Sequence, residues 1–176
     1  GISVGDKDFK ALLTKIKGAA DKAEGIYFGG LYTEAGLLLK QMRELGLKDP
    51  FSFVSGDGSM TFGLFDVAGS DADGAYLSIV GVPAEELASA KKFVDDYKKR
   101  WTGSGEERKP FDHFGYEAAG IIMAALERGA TDRATMISEL RKTKYDGVLG
   151  TTVFDAKGDT TSKIVTMTRA QSKKRA

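Results

Sequence analysis

The residues whose type and spacing could do chemistry in this chain are glycines, hydroxyls and one carboxylate at the ends of short apolar runs. Two stretches carry them: Gly29-Gly30-Leu31-Tyr32-Thr33 after the run GIYFGG begins, and Ser55-Gly56-Asp57-Gly58-Ser59 after FSFV. In each, the glycines let backbone approach a ligand closely, and a helix starting just beyond aims free amide groups at the same place. Asp57, between Gly56 and Gly58, is left uncovered by its neighbours, so its carboxylate can accept hydrogen bonds from a ligand ammonium or hydroxyl. The residues alone leave a second reading open, in which Asp57 caps the next helix or makes an ordinary Asp-Gly turn.

Other chemistry finds no support. The chain has no cysteine, which excludes disulfides, thiolate zinc sites, iron–sulfur clusters and a Cys nucleophile. His113 is the single histidine; a metal site would have to rest on carboxylates, and no nucleophile motif completes a Ser-His-Asp arrangement. His113 precedes an apolar helix and is expected at a surface or an interface. Gly103-Ser104-Gly105 lies in a polar linker, not between a strand and a helix, so it is not a phosphate loop. Asp71-Ala72-Asp73-Gly74 begins like a calcium loop, but Ile and Val fill later positions where oxygen ligands belong. No cofactor or metal is expected.

Charge is balanced, with 26 Lys and Arg against 25 Asp and Glu, giving no general reason to expect nucleic acid or an acidic membrane as partner. Lys173, Lys174 and Arg175 form a short basic tail that reads as a solvated terminus. Lys91, Lys92, Lys98, Lys99 and Arg100, interleaved with Asp95 and Asp96, read as the solvated face of one helix.

The elements that must position the two loops follow from periodicity. Residues 8–19 form an amphipathic helix through Phe9, Leu12, Leu13 and Ile16, with Asp8 capping its first amides. Residues 25–30 read as a buried strand, and residues 33–45 as a helix through Ala35, Leu38, Leu39 and Met42, closed by Gly46. A strand at 51–55, a weak helix at 60–68 and a strand at 75–80 complete an alternation that predicts a doubly wound α/β sheet with right-handed crossovers and helices on both faces. Tyr27, Phe28, Phe51 and Phe53 fall within strands and are expected in the core. Ligands of such sheets bind outside the carboxyl ends of the strands, which is where both loops fall.

After Val80 the rhythm changes. Pro83 opens a charged helix to about Trp101, a polar linker at 102–110 leads to an apolar helix at 111–128 closed by Gly129, and Thr131 caps a helix to about Lys142. Residues 151–154 and 164–168 are β-prone. With 176 residues, 41% of them hydrophobic, a compact core can form. Apolar runs such as residues 120–126 are far shorter than the roughly 20 residues a membrane span needs. No signal peptide pattern is visible, so Gly1 is expected to open either a mature cytosolic chain or a piece of a longer one.

The order GISVGDKDFKALLTKIK, IYFGGLYTEAGLLLKQMRELGL, FVSGDG, DVAGSDADGAYLSIVG, FGYEAAGIIMAALERGA and GVLGTTVFDAKGDTT resembles the C-terminal half of a periplasmic solute-binding protein of the leucine/isoleucine/valine-binding family. The resemblance runs from Gly1 to about Thr168. It implies two α/β lobes joined by a three-stranded hinge, closing on a small ligand for delivery to the membrane subunits of an ABC importer, in the periplasm or outside the cell. On that reading residues 1–80 belong to the second lobe, 81–162 return to the first, and 163–176 hold a strand crossing back and the basic tail. Asp57, with Gly58 beside it, matches the family's acidic position that holds the ammonium of an amino acid. Leu31 stands where amino-acid binders usually place a tyrosine, which Tyr32 could replace, and Phe111 lies near a first-lobe position that packs on the ligand side chain.

The resemblance also implies that a strand and helix of the second lobe precede Gly1, so the sheet is expected to be incomplete. The chain then reads as a fragment or split part, and a second chain or a swapped copy could supply the missing strand. Two other readings stay open. One is a ligand-sensing or structural module of the same fold. The other is a doubly wound enzyme acting on a phosphorylated ligand, although neither loop has the Lys and Ser/Thr pattern that a phosphate cradle needs.

Overall fold

The structure is a computed structural model that describes residues 1–19, 22–101, 103–104 and 108–172. The basic residues Lys173, Lys174 and Arg175, and Gly105 of the linker, lie outside the described residues. In chain order the elements are α1 (Lys10–Lys17), β1 (Gly25–Phe28), α2 (Tyr32–Glu44), β2 (Ser52–Ser55), α3 (Gly63–Ala68), β3 (Tyr76–Val80), α4 (Lys91–Trp101), α5 (Asp112–Glu127), α6 (Arg133–Arg141), β4 (Lys144–Gly147), β5 (Gly150–Val153) and β6 (Val165–Arg169). They fall into two compact units. One holds Gly1–Ile79 together with the chain from Thr166 onward, and the other is Val80–Val165.

The first unit is a mixed α/β layer built on a sheet of order β1-β2-β3-β6. β1, β2 and β3 run parallel, with Tyr27 beside Val54 and Val54 beside Tyr76. β6 runs against β3, because the Gly74 N–H donates to the Ala170 carbonyl and the Ala170 N–H to the Ala75 carbonyl at one end, while Gly81 bonds Ile164 at the other. Phe53 and Leu77 point from one face of this sheet into a core shared with Leu13 of α1, Leu38, Leu39 and Met42 of α2, and Leu64 of α3.

The helix ends explain their lengths. α2 stops because Gly46 takes φ +79°, a conformation that other residues adopt only with strain. There the Gly46 N–H reaches the Arg43 carbonyl at 3.0 Å and the buried Leu47 N–H reaches Met42 at 2.9 Å, the paired bonds of a Schellman motif. Asp8 does accept from the Lys10 amide at 3.0 Å, although Phe9 is the residue flanking α1. Gln41 of α2 holds that corner, accepting from the Phe9 N–H at 2.7 Å and donating to the Lys7 carbonyl at 2.9 Å.

In the second unit the charged helix begins later than its proline suggests. Two 3₁₀ turns, Ala84–Glu86 and Ala88–Ala90, precede α4, whose exposed flank carries the pairs Lys91–Asp95 and Lys92–Asp96. α5 ends in a second Schellman pair, from Gly129 to Leu126 at 2.9 Å and from Ala130 to Ala125 at 3.2 Å. The cap of α6 is Asp132, not Thr131. Its carboxylate accepts from the Ala134 and Thr135 amides, and the Thr135 hydroxyl accepts from the Asp132 N–H. Three residues beyond Thr131 stands Ala134, which cannot reciprocate in this way.

β4 (KYDG) is too polar to announce itself and becomes a strand by pairing antiparallel with β5, Lys144 opposite Val153 and Gly147 opposite Gly150. Behind this hairpin the buried carboxylate of Glu117 accepts from the Thr152 hydroxyl at 2.7 Å and the Leu149 N–H at 3.3 Å. His113, expected at a surface or interface, is fully buried instead. It sits in the first turn of α5 with its ring 4.2 Å from that of Phe114 and its Nε2 3.2 Å from the Val82 carbonyl, so that Nε2 carries the proton.

Candidate functional site

The two loops singled out above meet at the carboxyl ends of β1 and β2, held by a short ladder of hydroxyls. Ser55, the last residue of β2, is buried and donates to the Phe28 carbonyl at the end of β1, 2.7 Å away. Its Oγ also lies 2.8 Å from that of Ser59, which is 3.4 Å from the Gly30 carbonyl. Both serines sit at the ends of SGDGS, and the hydroxyl at each end of that turn was the only signal for this ladder in the sequence.

The loops touch through backbone. A Cβ on Gly58 would lie 2.7 Å from the Gly30 carbonyl oxygen and 3.2 Å from Leu31 Cδ2, so this contact requires a glycine. Leu31 is exposed and flanks α2 in an extended conformation, and no side chain caps the first amides of that helix. Tyr32, the first residue of α2, is also exposed, and its ring lies over Gly63 at the start of α3, where a Cβ would sit 2.6 Å from Cε2.

Asp57 opens a 3₁₀ turn, Asp57–Ser59, at this junction. The turn is closed by backbone, the Met60 N–H donating to the Asp57 carbonyl at 2.9 Å, with Gly56 as its flanking residue. The exposed Asp57 carboxylate has no hydrogen-bond or ion-pair partner among the described residues. Leu31, Tyr32, Asp57 and Gly58 are thus gathered at one strand end. Phe111 belongs to the other unit, where it flanks the start of α5, exposed, with its ring 6.3 Å from that of Phe114.

This cluster can hold an amine or hydroxyl on the carboxylate, offer helix amides to an acceptor, and lay Leu31 and Tyr32 along an apolar body. Ser55 and Ser59 are committed to each other and to carbonyls, and the described residues hold no group of three or more His, Cys, Asp or Glu suited to a metal. Two concavities lie elsewhere. One of about 700 Å³ is at the amino ends of β1 and β2, lined by Lys17, Glu24, Lys48 and Phe51. The other, about 660 Å³ and apolar, lies within the second unit between Val82, Leu87, Phe114 and Leu149. Neither includes Asp57, and the carboxyl ends of the strands remain the place where open α/β sheets take ligands.

The mixed α/β architecture with its parallel-dominant sheet is that of a type I periplasmic-binding-protein lobe. Residues 1–175 match the family described as Periplasmic binding protein, and the chain belongs to that family. It is 33% identical over 161 residues to a Leu/Ile/Val-binding protein homologue of Brucella abortus, an alignment covering 90% of this chain and 41% of the relative. Among solved structures, a leucine-binding protein from Thermotoga maritima superposes with a TM-score of 0.83 at 29% identity, over 97% of this chain and 47% of that one. A branched-chain amino acid transporter substrate-binding protein from Streptococcus pneumoniae, in complex with isoleucine, superposes with a TM-score of 0.79 at 32% identity, over 96% and 47%. These relatives are binding proteins, not enzymes, and the chain spans less than half the length of each.

Proposed function

We propose that this chain binds a small solute of the amino-acid class, with Asp57 taking the solute's ammonium, as part of a two-lobed carrier that delivers it to the membrane subunits of an ABC importer. The observation that carries this reading is the exposed Asp57 carboxylate, unpartnered among the described residues, at the strand end where the two loops are stitched together and Gly58 lies against Gly30 and Leu31. The relatives support it, being named for leucine, isoleucine and valine, one of them with isoleucine bound. Residues 1–80 serve as part of the second lobe, residues 81–162 belong to the first, and residues from 163 onward return to the second.

The chain is one part of that carrier, working in the periplasm or outside the cell together with polypeptide equivalent to the rest of a relative. A closed two-lobe site buries most of its ligand, whereas one part alone leaves it wet at a similar ordering cost. Thermal unfolding with a panel of amino acids and of amine-free acids tests the reading. A solute at 100 times its dissociation constant stabilises the folded state by about 2.7 kcal/mol. The proposal predicts shifts with apolar amino acids and none with the matching acids that lack an amine; equal shifts with both sets would contradict it.

A further inference from the structure

The chain passes from the first unit to the second between Ile79 and Val80 and returns between Val165 and Thr166. Just inside the second unit the two passages are tied together, the Gly81 N–H donating to the Ile164 carbonyl at 2.8 Å. Gly81 takes φ +75°, and a Cβ there would lie 2.9 Å from Cζ of Phe114, so the outgoing passage is pressed against the first turn of α5. The next carbonyl, that of Val82, is held by His113 Nε2 at 3.2 Å. One imidazole thus fastens the outgoing passage to a helix of the second unit.

His113 can do this only while neutral. Its side chain is fully buried, and Nδ1 has no hydrogen-bond partner among the described residues. A second proton would create a buried N–H with nothing to accept it. The charged groups around the ring do not relieve this. Glu85, from the 3₁₀ turn after the passage, is paired with Arg108 of the linker, and the Asp112 carboxylate of α5 accepts from the Lys109 N–H at 2.6 Å. Burial accordingly holds the imidazole below its ordinary range, with Arg108 adding to the effect and the Val82 carbonyl, Glu85 and Asp112 opposing it.

We infer that His113 is a proton-operated latch: neutral, it fastens the Gly81–Val82 passage to α5, and on acidification the ring takes up its proton by swinging out to water, freeing the passage while the rest of the fold holds. On the carrier reading this passage is part of the hinge, so acid loosens the hinge between the lobes; only that consequence rests on the carrier reading. The size follows from the proton. An opened imidazole with the ordinary pKa of about 6.5 gains about 30-fold in population between pH 7.5 and pH 5.0 when the closed one stays neutral.

The test is amide exchange in this chain without solute, read by NMR at the same two pH values and corrected for the intrinsic pH dependence of exchange. In the wild type the Gly81 amide loses about 10- to 30-fold in protection on acidification, while Leu39, in the core of the first unit, loses less than about threefold. His113→Gln keeps a donor toward Val82 and has no proton to take up, so Gly81 stays protected at both pH values. His113→Phe keeps a ring beside Phe114 but has neither donor nor proton; Gly81 is less protected than in the wild type at pH 7.5 and changes no further at pH 5.0. Either variant serves if the other does not fold, since both make Gly81 indifferent to pH. Three results overturn the inference: Gly81 protection that does not respond to pH in the wild type, an equal fall in His113→Gln or His113→Phe, or a parallel fall at Leu39, which would make the proton a burden on the whole fold and not on the passage. No solute enters the experiment, so its failure is separate from a failure of solute binding.

Discussion

The Ser55–Ser59 ladder allows a prediction with a sign and a size. Ser55 has one hydroxyl proton, and the 2.7 Å contact to the Phe28 carbonyl uses it. Ser59 therefore donates to Ser55 Oγ at 2.8 Å, its contact to Gly30 being the longer at 3.4 Å. Ser55→Ala removes the first bond and takes away the acceptor of the second, leaving a fully buried hydroxyl and a carbonyl poorly satisfied. We expect a loss of about 2 kcal/mol, within the 1–3 kcal/mol range for stranding a buried polar group. Ser59→Ala removes only the second donor and is expected to cost about 1 kcal/mol. Because the two share one bond, the double variant should cost less than their sum by at least about 0.5 kcal/mol. Urea unfolding followed by circular dichroism measures all three corners. Strict additivity, or two neutral single variants, would refute the ladder as the tie between the loops.

Gly58→Ala should destabilise by about 1–3 kcal/mol, the range for overpacking, because the Gly30 backbone oxygen 2.7 Å from the new Cβ cannot give way. Gly115→Ala, in α5 with nothing within 4 Å of its Cβ position, should instead stabilise by about 0.5–1 kcal/mol in the same unfolding assay. His113 makes the stability depend on pH. Burial holds its imidazole below the ordinary range; Arg108 adds to this, while the Val82 carbonyl, Glu85 and Asp112 oppose it. The unfolded chain takes up a proton below about pH 6.5 that the native state refuses, so unfolding free energy rises with pH through that window. Stability contributed by neutral His113 is complete above it and is lost on acidification toward the depressed native pKa. His113→Gln, which keeps a donor toward Val82, should flatten the change in urea midpoint between pH 7.5 and 5.5; identical slopes would count against this assignment.

Much of this was legible in the residues because local chemistry decided it. The apolar spacing of Leu38, Leu39 and Met42 followed by Gly46 marked α2 to within a residue, and strands ending in GG and SGDGS placed Asp57 at the carboxyl edge of a parallel sheet. What the residues hid was decided by partners distant in sequence. KYDG becomes β4 only against β5, Glu117 is buried because Thr152 and Leu149 come to it, and His113 turns inward against Val82. The contest between Thr131 and Asp132 was settled by Thr135, a signal present in the sequence and visible once the reciprocal bond is sought. Leu31 and Gly58 were each marked as site residues, but their contact depends on a backbone approach that spacing does not reveal.

The most direct test of the central reading is calorimetric titration of isoleucine, and of its amine-free analogue, into this chain combined with polypeptide equivalent to the rest of a relative, for wild type and Asp57→Asn. If Asp57 holds the ammonium, the variant loses about 1.5–3 kcal/mol for isoleucine, roughly 10- to 150-fold in affinity, while the analogue binds weakly and alike to both. Equal affinity of wild type and variant for isoleucine would remove Asp57 from the site and the proposed binding mode with it.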